Sequence, residues 1–191
     1  MEVEVSGAQD VMGDKDWKFA INYIDRKKNA STSEAVCNGI WNEILRRNFP
    51  YPKFIIAPEQ RQNTGKRPDF TIFFVDKTNE EWHPIFTFEG KAPYHGDKKH
   101  IIGKGIDQAA GYVPSLAWSK HREFYENKKL TYGMFACGKS FLILQWNVDT
   151  GQMSRIDSPS TPENGEFTTS FLDYDAESFD TFCKKHADSF K

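Results

Sequence analysis

The sequence lacks the patterns that identify several common classes of protein. Its three cysteines are widely spaced and odd in number, which argues against a disulfide framework or a zinc knuckle and indicates a reducing compartment. It has no run of about 18 apolar residues and no apolar segment near its acidic N-terminus, so we expect neither a membrane span nor a signal peptide. We therefore predict an intracellular protein, cytoplasmic or nuclear, that is not secreted and has no membrane partner.

Several catalytic signatures are missing as well. The sequence has no glycine-rich loop of the dinucleotide or Walker type and no nucleophile elbow, and its five histidines show no zinc-ligand spacing. It contains neither an internal repeat nor a low-complexity tract. A sugar- or cofactor-processing enzyme and a zinc site therefore have no support in the sequence.

The chain does contain enough apolar residues for one core. Of its 191 residues, 38% are hydrophobic and 15% aromatic, so we predict a single domain and exclude a disordered chain. An acidic N-terminal segment (1–16) and an acidic loop with a C-terminal helix (149–191) flank a core (17–148) that holds 13 acids and 20 bases, a net charge of +7. A basic core suits a polyanionic partner, although a solvated lysine-rich surface explains the charge equally well.

Hydrophobic periodicity in the first half of the core predicts a helix followed by three strands. The helix is expected to start at a capping box of Ser31 with Glu34 and to end at Asn48. The strands are predicted over residues 51–60, 69–77 and 82–92. The last two strands form a hairpin, and because both of their faces are apolar we expect the sheet to be covered on both sides.

The second half of the core predicts a helix and two further strands. A basic loop (94–105) leads into helical residues 106–129, which Pro114 should kink or break. The two strands flank a turn at 137–139. Beyond them we predict a mobile surface loop over 155–166 and an amphipathic closing helix over 175–191.

Three ionisable side chains interrupt the two hairpin strands. If the hairpin turns in the middle of its polar loop, the even registers place Asp69 opposite Glu89 or Lys91 and project all three from one face. Facing carboxylates repel each other, and a divalent cation such as Mg²⁺ removes that cost by binding oxygen ligands. Asp69, Glu89 and the carbonyl of Gly90 could hold the ion while Lys91 holds or deprotonates a water. The competing interpretation is a buried salt bridge without chemistry.

Pro68-Asp69, followed about twenty residues later by Glu89-Gly90-Lys91, resembles the PD-(D/E)XK signature of the restriction-endonuclease-like nuclease superfamily. The resemblance covers Ser31 to Asn147 and implies an α/β (α+β) fold with a restriction-endonuclease-like core, a central mixed sheet flanked by helices. It also implies phosphodiester hydrolysis that depends on Mg²⁺ or Mn²⁺, with Asp69 and Glu89 as metal ligands and Lys91 as a catalytic residue. Gly90 departs from the pattern, because this position is often apolar in the family.

Two further features are similar to parts of that superfamily. Gln108 and Tyr112 match the Gln-x-x-x-Tyr motif of its RecB-like branch, in which Gln108 would assist catalysis by reaching the lysine or a phosphate. A solvated glutamine and a core tyrosine are the competing interpretation. Family members often carry one more acid on the first helix, and Glu34 is the best match because it lies near the apolar stripe. Its capping-box role is the alternative.

Basic residues flank the three ionisable side chains on both sides in sequence. They are Arg61, Lys66 and Arg67 before Asp69, and Lys98, Lys99, His100 and Lys104 after Lys91. They could neutralise phosphates of a nucleic acid, DNA or RNA, although ordinary charged loops have the same composition. A homodimer is possible. The alternative function is a catalytically inactive nuclease-like domain that binds nucleic acid or protein.

Overall fold

The computed structural model describes residues 7–25, 31–117, 122–159 and 169–190. These ranges contain six α-helices: α1 (Gly7–Gly13), α2 (Trp17–Ile24), α3 (Glu34–Asn48), α4 (Lys99–Tyr112), α5 (Arg122–Lys128) and α6 (Leu172–Asp188). They also contain seven strands: β1 (Phe54–Pro58), β2 (Phe70–Asp76), β3 (Glu81–Lys91), β4 (Leu130–Cys137), β5 (Ser140–Asn147), β6 (Gln152–Arg155) and β7 (Ser170–Phe171). Short 3₁₀ turns cover Pro93–His95 and Pro114–Ala117.

The strands form one mixed sheet in the order β1-β2-β3-β4-β5-β6, with β7 paired to β5. All neighbouring strands are antiparallel except β3 and β4, which are parallel. Parallel neighbours need a crossover connection, and α4 lies in that connection. The fold is therefore α+β with a mixed sheet flanked by helices. The predicted order of helix, three strands, helix and two strands is confirmed from α3 to β5.

Helices cover both faces of the sheet, as the apolar faces of its central strands require. On one face, the rings of Trp41 in α3 and Phe179 in α6 lie 5.7 and 5.2 Å from that of Phe141 in β5. On the other face, α4 packs over β4, where Phe135 points away from its neighbour Met134. The prediction of a sheet covered on both sides is confirmed.

The start of α4 corrects one prediction. The expected basic loop over 94–105 is wrong from Lys99 onward, because α4 begins there. A Cβ at Gly105 would lie 2.3 Å from the Phe135 ring, so the glycine lets the helix approach β4 closely. A glycine that suggested a loop therefore serves the packing of a helix on the sheet. The predicted interruption at Pro114 is confirmed, since a 3₁₀ turn separates α4 from α5.

The start of α3 corrects a second prediction. Its N-cap is Ser33, whose hydroxyl accepts a hydrogen bond from the Val36 amide at 3.4 Å. The predicted capping box of Ser31 with Glu34 is therefore wrong, because consecutive hydroxyl residues offer several caps and the sequence does not select one. Glu34 is instead the first residue of the helix, in its acidic first turn. The predicted end at Asn48 is confirmed.

The two ends of the chain add α1, α2, β6 and β7, which the sequence pattern does not predict. The amides of Ala8 and Gln9 in α1 donate hydrogen bonds to the Asp180 carboxylate of α6, at 2.6 and 2.8 Å. The predicted closing helix is confirmed as α6. Of the loop predicted over 155–166, residues 160–166 lie outside the described ranges. Within the described ranges, no helix combines the length and apolar character that crossing a membrane requires.

Candidate active site

The hairpin of β2 and β3 brings the two predicted metal-binding carboxylates to one end of the sheet. Phe70 pairs with Phe88, so Asp69, one residue before β2, falls beside Glu89 in the predicted even register. A bulge shifts the pairing between Ile72 and Phe73, farther from this end. The Gly90 amide donates a hydrogen bond to Asp69 Oδ2 at 2.7 Å and fixes the Asp69 carboxylate against β3.

Lys91 lies among three carboxylates. Its Nζ is 2.5 Å from Glu89 Oε1 and 4.0 Å from Glu34 Oε2. Side chains two residues apart on a strand share one face, which explains the contact between Glu89 and Lys91. Glu34 reaches the same group from the first turn of α3. The structure therefore brings together Asp69, Glu89, Lys91 and the additional acid Glu34. We call these four residues the acidic cluster.

Asn38 shapes the cluster from α3 and is a residue that the sequence prediction missed. Its Oδ1 is buried and has no hydrogen-bond partner among the described residues. A Cβ at Gly90 would lie 2.0 Å from that atom, so any larger residue between Glu89 and Lys91 would have to displace the Asn38 side chain. The departure of Gly90 from the family pattern thus has a steric reason. The signal for Asn38 in the sequence was its spacing, one helical turn after Glu34.

The negative charge of the buried acidic cluster is only partly neutralised by Lys91. The pKa of Glu89 is raised to about 7, mainly by burial and also by repulsion from Asp69 and Glu34, and the hydrogen bond and charge of Lys91 offset these effects only in part. Burial also raises the pKa of Glu34, against the opposing charge of Lys91. Burial lowers the pKa of Lys91, but the hydrogen bond and charge of Glu89, together with the other carboxylates, hold it above its ordinary value. One ammonium group therefore does not balance three carboxylates.

Glu89→Gln should remove a pH dependence of stability in metal-free buffer. The folded protein holds the Glu89 proton up to about pH 7, whereas an ordinary glutamate loses it near 4.5. Between these values the folded state binds more protons, so the contribution of Glu89 to stability falls as the pH rises through 7. We expect the difference in unfolding free energy between variant and wild type, measured by urea titration, to grow by about 2 kcal/mol from pH 5 to pH 8.

Subtracting the wild-type stability from that of Glu89→Gln cancels the contributions of groups that titrate alike in both proteins. His186, whose pKa burial lowers to about 4, acts in the opposite sense in both, because its neutral form is favoured as the pH rises. Added Mg²⁺ should narrow the gap at pH 8 by stabilising the wild type alone, since a cation offsets the charge of Glu89. If the difference in unfolding free energy between Glu89→Gln and wild type does not change with pH, ionisation of Glu89 does not destabilise the folded protein.

Tyr112 of α4 interacts with Glu89 and Asp69 of the acidic cluster. Burial, the charges of Glu89 and Asp69, and a hydrogen bond to Glu89 raise the pKa of Tyr112 to about 12, so its hydroxyl stays protonated. Gln108 lies one helical turn earlier and is half-buried. In the parts of the chain that are described, its amide makes no hydrogen bond to the cluster. Its predicted assisting role therefore stays a prediction.

The predicted phosphate-binding residues fall into two groups. Arg61, Lys66 and Arg67 are exposed on the loop 59–69, where the Lys66 amine lies beside Gly111, so that a Cβ there would be 2.6 Å from it. The second group, on the other side of the cluster in sequence, consists of Lys98, Lys99, His100 and Lys104.

This second group lies at the start of α4 and just before it. Lys98 stacks over the Tyr94 ring at 5.3 Å, and Lys99, His100 and Lys104 are exposed on the first turns of the helix. Burial and the charges of Lys98, Lys91 and His100 lower the pKa of His95. A positive field therefore reaches the edge of the acidic cluster from this side.

The donor groups of the cluster fit a hard divalent cation. Across the described ranges, no three His, Cys, Asp or Glu side chains converge to form a metal site by themselves. Mg²⁺ usually needs only one or two carboxylates and keeps several waters, and Asp69 with Glu89 can supply those carboxylates. The excess of carboxylates over ammonium groups gives the charge that such an ion would neutralise.

Comparisons of the chain with family models, with curated proteins and with solved structures find no match.

Proposed function

We propose that the chain is a metal-dependent nuclease of the PD-(D/E)XK type, which hydrolyses phosphodiester bonds of DNA or RNA. The observation that carries the proposal is the acidic cluster itself, in which Lys91 lies 2.5 Å from a buried Glu89 that keeps a raised pKa. The order of elements around it, from α3 through the parallel pair β3 and β4, agrees with the restriction-endonuclease-like core that the motif implies. A homodimer stays a prediction.

Each residue of the cluster has a role in this proposal. Asp69, Glu89 and the Gly90 carbonyl would hold Mg²⁺ or Mn²⁺, and Glu34 would add a further oxygen ligand. When bound, such an ion lowers the pKa of a water ligand and neutralises charge on the phosphate. Lys91 keeps its proton because its carboxylate neighbours raise its pKa, so it orients the water and neutralises the phosphate instead of acting as the base. Attack of that water in line with the leaving oxygen would form one P–O bond as the bond to the leaving oxygen breaks. The water would lose a proton to solvent and the leaving oxygen would take one up, which yields a phosphate end and a hydroxyl end.

The surrounding residues position the substrate. Tyr112, whose pKa is raised by burial and by the charges of Glu89 and Asp69, stays protonated and would donate a hydrogen bond to Glu89. Gln108 would contact a phosphate or the water. The two basic groups on either side of the cluster would neutralise phosphates that flank the bond to be cut, a contact that carries no sequence information.

Lys91→Ala should abolish cleavage while the protein remains folded. The experiment incubates labelled single- and double-stranded DNA and RNA with wild type or variant in Mg²⁺ or Mn²⁺ and measures the cleavage rate. We expect the variant to lose about 10²- to 10⁴-fold in rate, the usual contribution of a positioned catalytic group. Lys77→Ala, which removes an exposed lysine at the hairpin turn, is the matched control.

Other outcomes have clear meanings. Loss of folding in Lys91→Ala would identify the cluster as a structural salt bridge. If the wild type cuts no substrate but binds nucleic acid in EDTA, with affinity that falls steeply with salt, the chain is an interaction module without nuclease activity.

A further inference from the structure

A second groove lies along β2 and β3, between the acidic cluster and the turn that joins these strands. It has a volume of about 410 Å³ and is lined by Phe73 of β2 and Trp82 and Pro84 of β3. Thr71 also lines the groove, which therefore begins two residues along the chain from Asp69, and Phe73 lies four residues from Asp69. At the usual rise of a strand, Phe73 and Asp69 are about 13 Å apart. We call this depression the tryptophan groove.

The groove offers a flat aromatic surface beside polar groups. The Trp82 side chain is 55% exposed, and its ring lies 6.4 Å from that of Phe73. Gln60, Arg61 and Asn63 are among the polar residues that also line it. A planar ring for stacking, amides that both donate and accept hydrogen bonds, and a cation for phosphate together suit an unpaired nucleotide.

The loop 59–69 connects the groove to the acidic cluster. Its residues 60–63 line the groove, and Asp69 lies at its other end. The Gln62 side chain donates a hydrogen bond to the Tyr112 carbonyl at 2.9 Å, which holds the loop on α4. Arg61 and Lys66 are exposed along this path. A strand whose phosphate lies at the cluster can therefore follow basic residues to the groove within a few nucleotides.

We propose that the tryptophan groove binds an unpaired base of the strand that is cut, so that the substrate is single-stranded nucleic acid or a duplex with a single-stranded end. Bases of an intact duplex are stacked and paired, and Trp82 cannot stack on them. The choice of substrate rests on the proposed nuclease function, whereas base binding in the groove can be measured without cleavage.

The test measures binding in EDTA by fluorescence anisotropy, with a single-stranded oligonucleotide and a duplex of the same sequence. We expect Trp82→Ala to weaken single-strand binding by about 5- to 100-fold, the usual effect of losing one stacked base, and to leave duplex binding unchanged. Trp82→Phe should retain most of the affinity. Tyr174→Ala removes a similarly exposed aromatic ring from α6 and should change neither single-strand nor duplex binding.

A second measurement identifies the base. Oligonucleotides with one abasic position, moved along the strand, should lose affinity for the wild type at one position and lose none for Trp82→Ala. Unchanged single-strand binding in Trp82→Ala, or an equal loss for duplex and single strand, would overturn the inference and leave the groove to a protein or another ligand. A chain that shows this base binding but never cuts would refute the nuclease proposal alone. Normal cleavage of single strands by Trp82→Ala would refute base binding in the tryptophan groove and leave the nuclease proposal intact.

Discussion

Asp69→Asn is expected to slow cleavage by about 10²- to 10⁴-fold without unfolding the protein. Asparagine keeps the shape of the side chain, and its amide oxygen can still accept the hydrogen bond that the Gly90 amide donates at 2.7 Å. What the variant loses is the negative charge that would hold the cation. The cleavage rate should be measured with enzyme in excess of substrate, so that product release does not limit it.

A matched control separates this effect from a general change in charge. Asp107→Asn removes the same charge from an exposed position on α4 and should leave the rate unchanged. Partial rescue of Asp69→Asn by a high concentration of Mn²⁺ would support a ligand role for Asp69. A variant that cuts at the wild-type rate would remove Asp69 from the site, and one that fails to fold would assign it a structural role.

Asp180→Ala is expected to cost about 3 kcal/mol of stability, because it removes the acceptor of one buried and two partly buried donors. The Asp180 carboxylate is buried and accepts hydrogen bonds from the Ala8 and Gln9 amides and from Asn48 Nδ2, the last at 2.9 Å. These bonds join α1 and α3 to α6. The free energy of unfolding from urea titration measures the loss.

Asp188→Ala provides the comparison for Asp180→Ala. It removes an aspartate from an exposed position on the same helix and should change stability by less than about 0.5 kcal/mol. An Asp180→Ala variant as stable as this control would mean that α1 does not depend on the Asp180 carboxylate. The two variants should cleave alike when folded, because Asp180 takes no part in the acidic cluster.

Buried charged groups in this protein are of two kinds, those whose charge is stabilised by partners and those of the acidic cluster. Asp180 serves packing, and Lys139 does so as well, with its Nζ 3.0 Å from Asp25 Oδ2 and 2.9 Å from Asp173 Oδ2. Lys139 joins the residue that follows α2 to the first turn of α6. The acidic cluster differs because three carboxylates share one lysine and burial raises the pKa of Glu89 to about 7. That imbalance gives the cluster a reason to bind a cation.

Much of the hairpin site could be predicted because its geometry is local. The register of β2 and β3 follows from the position of their turn, and the common face of Glu89 and Lys91 follows from the period of a strand. The start of α3 was predicted at the wrong cap, since Ser31 and Ser33 are both good caps and local sequence does not rank them. The start of α4 was missed because Gly103 and Gly105 suggested a loop.

The sequence by itself determined the order of the core elements and the meeting of Asp69, Glu89 and Lys91, because periodicity and a short turn control both. Only the tertiary structure decided which distant residues join them. Glu34 and Asn38 lie on α3, Tyr112 lies on α4, and residues 60–63 form a groove with Trp82. These contacts depend on how helices pack across a mixed sheet, and burial, which raises the pKa of Glu89, exists only after that packing.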